Sequence, residues 1–274
     1  DGVWSVEKSY PQWFGAIADG VADDTLAIQS SISFGSGIRG RLVFFPQGKY
    51  GITSYINIDS TNTTYGLTLE GAGFNSSLIT IIPGFNGINA GSVDLNSMFL
   101  FDGNGMTNHR KTFKNFSITD NGGIATSGFE AVKLINGAFE VDFFRMWFAT
   151  SKTHISISQN SLGATVDSCV LDTATNSSII DRSYKPGNYS NNIFVSLSSS
   201  AQTISFDYDT DSPKVGWGVS FGGSVKNNLF LNEYRSIFLK GNQGMQIDGN
   251  KFQVTSSDSN KFMVISNCNA FSIL

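Results

Sequence analysis

Val225-Lys226-Asn227-Asn228-Leu229-Phe230 and Ile247-Asp248-Gly249-Asn250-Lys251-Phe252 share one pattern: an apolar residue, an outward residue, two turn formers, a spacer and a second apolar residue. Tyr189 to Phe194 repeats it, and Val166 to Leu171, Val141 to Met146 and Phe113 to Ile118 are weaker copies. The copies recur at intervals of roughly 22 to 36 residues, the range of stacked structural repeats. Each copy therefore marks one corner of a solenoid coil. The second Asn of the phrase (Asn192, Asn228, Asn250) is expected to take the left-handed turn and to hydrogen-bond along a column of its equivalents. The residue two places later (Ile118, Met146, Leu171, Phe194, Phe230, Phe252) is expected to stack in the core.

The composition agrees with strands and turns. Of 274 residues, 29 are Gly, 23 are Phe and only 5 are Pro, while charged residues make up 15%. A net charge of -4 gives no basic footprint for nucleic acid, and no apolar run is long enough for membrane insertion. The chain starts at Asp1 without a signal-like segment, as a processed chain or an excised fragment would. Cys169 and Cys268 fall about four coils apart. At roughly 4.8 Å per coil that exceeds disulfide reach, so both are expected as buried free thiols.

Residues 1–40 read as an N-terminal segment with a capping helix. Asp23, Asp24 or Thr25 offers the N-cap, Leu26, Ile28, Gln29 and Ile32 have helical spacing, and Gly35 and Gly37 end the run. Its apolar side is expected to cover the open end of the solenoid. From residue 41 to 274 short strands alternate with turns: Arg41 to Pro46, Gly48 to Ile52, Gly66 to Gly73, Leu78 to Pro83 and Met98 to Phe101 come before the repeats register. Phe271 to Leu274 reads as a strand stopping just before another corner, so the solenoid is expected to continue beyond it. One interval, Tyr189 to Val225, is longer than the rest. Its excess lies in Asp207-Tyr208-Asp209-Thr210-Asp211-Ser212-Pro213-Lys214-Val215-Gly216-Trp217-Gly218, which a solenoid would extrude as a loop on one face.

The N-terminal third carries a resemblance. Phe14-Gly15-Ala16, then Asp19-Gly20-Val21-Ala22-Asp23-Asp24-Thr25 and Ala27-Ile28-Gln29, resembles the opening signature of right-handed parallel β-helix proteins of the pectate-lyase superfamily. Val43 to Tyr50 and Leu69-Glu70-Gly71-Ala72-Gly73 resemble the strands and glycine turns that follow it. The match covers roughly the first 85 residues and is specific for fold. The chain looks most like the bacteriophage tailspike depolymerases of that superfamily. The resemblance implies an all-β, right-handed parallel β-helix with a short capping helix and a homotrimer carried by phage tail or baseplate proteins. It also implies a virion-tail or extracellular location and a bacterial capsule or O-antigen as substrate. No catalytic residue transfers with it.

Cleaving a glycosidic bond takes two carboxylates, or, in a lyase, a base beside a neutralised uronate. In such a helix register decides which residues meet. The first expectation is that Asp207, Asp209 and Asp211 act with Glu233, which falls in a neighbouring coil. Tyr208 and Trp217 offer faces to sugar rings, and Arg235 offers a further contact. The second is the pair Asp142 and Asp167, placed by the repeat on adjacent coils at about the 5 Å of a retaining pair. His109 and His154 are far apart in register, and the acidic loop lacks the full calcium-loop spacing, so no metal or cofactor is expected. These residues point to a glycoside hydrolase. A lyase would want a basic groove, and Arg145, Lys152, Arg182, Lys185 and Arg235 are scattered along the sequence. A non-catalytic glycan-binding or tail-shaft segment is the alternative of another class.

Overall fold

A computed structural model of the chain describes residues 6–34, 41–59, 66–86, 96–103, 110–120, 129–138, 140–158, 161–183, 185–195, 202–207, 220–231, 235–240, 242–253, 263–266 and 272–273. Every named pairing between strands is parallel. Each strand pairs with its equivalent in the coils before and after it, so the chain climbs as a right-handed parallel β-helix, the hand that strand twist imposes on parallel crossovers.

Three faces run along the axis. The first is a ten-strand sheet that includes Arg41–Phe45, Leu67–Gly71, Lys111–Lys114, Val141–Phe144, Thr165–Asp167, Asn188–Ser190, Ser224–Lys226 and Gln246–Asp248. The corner phrase links it to the second face, which includes Ser117–Thr119, Ile193–Val195, Leu229–Leu231 and Lys251–Gln253. The third holds Ile56–Ile58, Ser97–Asp102, Glu130–Ile135, Gln202–Asp207, Arg235–Lys240 and Met263–Ser266. In two coils the second and third strands run on as one, Trp147–Ile157 and Val170–Asp181, bending at Thr150 and Thr173, both with positive φ.

Period-2 alternation fills the interior. Along the second face Tyr50, Ile79, Ile118, Phe148, Leu171, Phe194, Phe230 and Phe252 form one inward column, with Phe194, Phe230 and Phe252 stacked at 4.9 Å spacing. The first face answers with Val43, Leu69, Phe113, Phe143, Val166, Tyr189, Val225 and Ile247. Nearly all of both columns is fully buried.

The corner differs from the expectation by one residue. The left-handed position belongs to the residue before the buried Asn: Asn115, Arg145, Ser168, Asn191, Asn227 and Gly249 all have φ between 50° and 62°. Asn192, Asn228 and Asn250 instead turn inward as the expected ladder. Asn228 Nδ2 donates to Tyr189 O at 2.9 Å and to Asn250 Oδ1 at 3.0 Å, and Asn228 Oδ1 accepts from Asn192 N and Nδ2. Phe116, Met146 and Cys169 hold the same place in lower coils. Met146 therefore does not belong to the stacking column, where Phe148 stands.

The helix Thr25–Ser33 caps the lower end with Ala27, Ile28 and Ile32 buried. Leu26, expected on that side, is 79% exposed. Asp24 is the N-cap, but its carboxylate turns back to accept from Ile17 N and Ala18 N, pinning the preceding turn. The N-terminal segment also adds strands of its own: Lys8–Ser9 pairs with Leu42 and Val43, and Asp19–Asp23 pairs with the strand Gly48–Ser54.

Candidate functional site

The outer edge of the third face, where the chain turns back to the first, gathers the described part of the predicted acidic site. Asp207 closes the strand Gln202–Asp207 and pairs with Lys240 in the next coil; its Oδ1 lies 3.5 Å from Lys240 Nζ, and both side chains are 37% exposed. In the coil below, the ladder ends where Asp181 pairs with Phe206. Asp207 is thus a rim carboxylate ion-paired with an ammonium from the next coil. The two lie far apart in the sequence, and only the coil register brings them together.

Tyr208, Asp209, Asp211 and Trp217 lie outside the described residues, as do Glu233, His109 and Cys268. Gln202 pairs with Arg235, which opens the strand Arg235–Lys240, so Arg235 is not a register partner of Asp207.

Asp142 and Asp167 are not a pair either. Asp142 pairs with Thr165, and Phe144 with Asp167, because this coil's corner is Phe143 to Phe148, two residues later than the phrase suggested. Asp142 is buried and ion-paired with Arg110 Nε. Asp167 accepts from Ser190 Oγ and Asn191 Nδ2, both at 2.7 Å, and from Ser168 Oγ. Partial burial works against its charge, but these donors outweigh it and hold its pKa below the usual carboxylate range. It is a corner brace.

Other titratable groups are internal. His154 is fully buried, its Nε2 is 3.1 Å from Asp172 O, and desolvation lowers its pKa to about 3. Cys169 is a buried free thiol, as expected, and burial pushes its pKa to about 12. Asp181 points into the core between Ile157 and Phe206 and accepts from Ser183 N, Ser183 Oγ, Gly187 N and Tyr189 Oη. Burial raises its pKa and, with the neighbouring carboxylate, that of Tyr189. This network ties the connection 182–188 to the core. Among the described residues no group of three or more His, Cys, Asp or Glu is placed to hold a metal.

The profile of the rhamnogalacturonase A/epimerase, pectate lyase-like family matches residues 12–271. The chain belongs to this family. Among solved structures, the fold of this pectate lyase-like chain is similar to the enzymatically active domain of bacteriophage CBA120 tailspike protein 2. The TM-score is 0.69 at 13% identity, over 98% of this chain and 43% of that one. It is also similar to the phiAB6 tailspike in complex with oligosaccharides of Acinetobacter baumannii surface polysaccharide, with TM-score 0.61 and 16% identity over 96% of this chain and 47% of that one. A stretch of 77 residues is 35% identical to capsule K3-specific depolymerase 1 of Klebsiella phage KP32, covering 25% of this chain and 9% of that protein. The chain spans less than half the length of each of these relatives.

Proposed function

We propose that this chain is the β-helical part of a phage tailspike-like depolymerase that cleaves a bacterial surface polysaccharide, capsule or O-antigen, by glycoside hydrolysis. The observation that carries the reading is Asp207. It is a half-exposed carboxylate at the rim of the third face, held by Lys240 at the start of the connection that carries Asp209 and Asp211. Family membership and likeness to tailspikes support the same reading. In it Asp207, Asp209 and Asp211 supply the acid and the base or nucleophile, and Tyr208 and Trp217 hold sugar rings. Glu233 acts with them as a further carboxylate, and Arg235 contacts the glycan. The assembly is a homotrimer on the virion tail.

A lyase is the second reading, favoured by one observation. Lys240 lies beside Asp207, where its ammonium would neutralise a uronate carboxylate next to a base.

The test is to incubate the full-length protein with purified capsule and O-antigen, following reducing ends and the absorbance of unsaturated uronates. Reducing ends without the absorbance support hydrolysis, and both together support the lyase. A glycan that is bound but never cut overturns both in favour of an adhesin. Asp207→Asn should lower kcat at least a hundredfold, and full activity in that variant would remove Asp207 from the site.

A further inference from the structure

On the other flank of the same corner, where the connections meet the first face, the surface opens into a groove of about 460 Å³. Its walls come from four coils: Arg110; Glu140 and Asp142; Leu162, Gly163 and Thr165; and Lys185 with Asn188. We infer that this groove binds a saccharide unit bearing an anionic substituent, at a place separate from the Asp207 rim.

Gly163 lines the groove without a side chain, and it cannot gain one, because a Cβ there would lie 2.0 Å from Gly187 N of the next coil. Leu162 and the buried Pro186 add an apolar ledge suited to the C–H face of a sugar ring.

The polar groups are set for a ligand. Asp142, buried to 4% side-chain exposure, engages Arg110 through Nε and fixes a guanidinium that is itself 68% exposed. The two Nη groups of Arg110 have no partner among the described residues, and they form a fork that suits carboxylate or phosphate. Lys185, exposed on the opposite wall, likewise has no partner for Nζ among the described residues. Asn188 uses Oδ1 to accept from Ser224 and leaves its amide donors for hydroxyls, and the exposed Glu140 is an acceptor. Lys111, buried behind the strand, lies close enough to Glu140 to interact with its charge. Arg110 and Lys185 thus present N–H donors to the groove that have no partner among the described residues, Asp142 is already engaged by Arg110, and the remaining acceptors beside them match a ring carrying hydroxyls.

The site is tested by binding alone, so its failure and that of the depolymerase reading are separable. The full-length protein is titrated calorimetrically with tetramers of galacturonate, glucuronate and mannuronate. It is also titrated with the same tetramers after reduction of their carboxyls, and with glucose 6-phosphate. At least one uronate tetramer or glucose 6-phosphate should bind, and a bound tetramer at least tenfold more tightly than its reduced form. Phosphate alone succeeding would assign a phosphosugar rather than a uronate. Lys185→Met should weaken binding at least fivefold and Lys185→Arg should retain it, while Lys251→Met on the second face should change nothing. Binding by none of the anionic probes overturns the inference. So does equal affinity for reduced tetramers, or an undiminished affinity in Lys185→Met.

Discussion

Replacing Asn228 tests whether the corner ladder holds the coils in register. Its side chain makes four hydrogen bonds: two accepted from Asn192 N and Nδ2 at 2.9 and 3.1 Å, and two donated to Tyr189 O and Asn250 Oδ1 at 2.9 and 3.0 Å. Only 1% of the residue is exposed, so water does not replace what is lost. Asn250 Oδ1 keeps a bond from Asn228 N in the variant and Asn192 Nδ2 keeps its bond to Val166 O, but Asn192 N and Tyr189 O lose these partners. With a buried orphan costing about 1–3 kcal/mol and some relaxation, Asn228→Ala should cost about 3–5 kcal/mol. Asn228→Asp keeps the acceptor but points a carboxylate at Tyr189 O and Asn250 Oδ1. It should be at least as damaging at neutral pH and milder in acid, where a protonated carboxyl can donate again. Urea unfolding followed by far-ultraviolet circular dichroism measures both, with Gln253→Ala, an exposed position on the second face, as an outward control. A loss below about 1 kcal/mol for Asn228→Ala, or an Asp variant as stable as wild type at pH 7, would refute the ladder as a source of stability.

Four further outcomes follow from the same geometry. Cys169 should resist thiol reagents at pH 8 in the native protein and react at once in denaturant, because burial holds its pKa near 12. His154 is neutral in the fold while the unfolded chain takes up a proton below about pH 6.5, so stability should fall as pH drops through that value, by up to about 1.4 kcal/mol per unit. His154→Phe, whose ring can keep the contact with Phe148, should flatten that slope. Tyr189→Phe removes one of four donors to the buried Asp181 and should cost about 1–3 kcal/mol in the same unfolding assay. Gly187→Ala drives a methyl into Ala164 O, and should lower the melting temperature more than Gly84→Ala, where nothing lies within 4 Å and only the positive φ of 92° opposes a side chain.

The scaffold was legible in the sequence because its cues are local and repeated. The repeated phrase placed five of the six corners, and the capping helix showed its period of 3.6. The corner at Arg145 was misread by two residues because it lacks Asn and Gly. Both Val141 to Met146 and Phe143 to Phe148 fit an apolar frame, and a shift of two leaves inward and outward faces unchanged, so alternation could not choose between them. That slip created the false Asp142 and Asp167 pair. Arg110 and Lys240 went unnoticed because single cations in polar segments carry no pattern; their meaning comes from the carboxylate one coil away.

The residue in the left-handed corner position has its own consequence. Asn, Arg, Ser and Gly all occupy it, so the turn is enforced by its neighbours rather than by the residue's chemistry. A chain built this way tolerates wholesale editing. A coil can be duplicated, removed or exchanged with another as a module, since each one docks through the same three short ladders whatever hangs from its connections. Change would then collect in the connections that hang from the corners, with the stack beneath inherited unaltered.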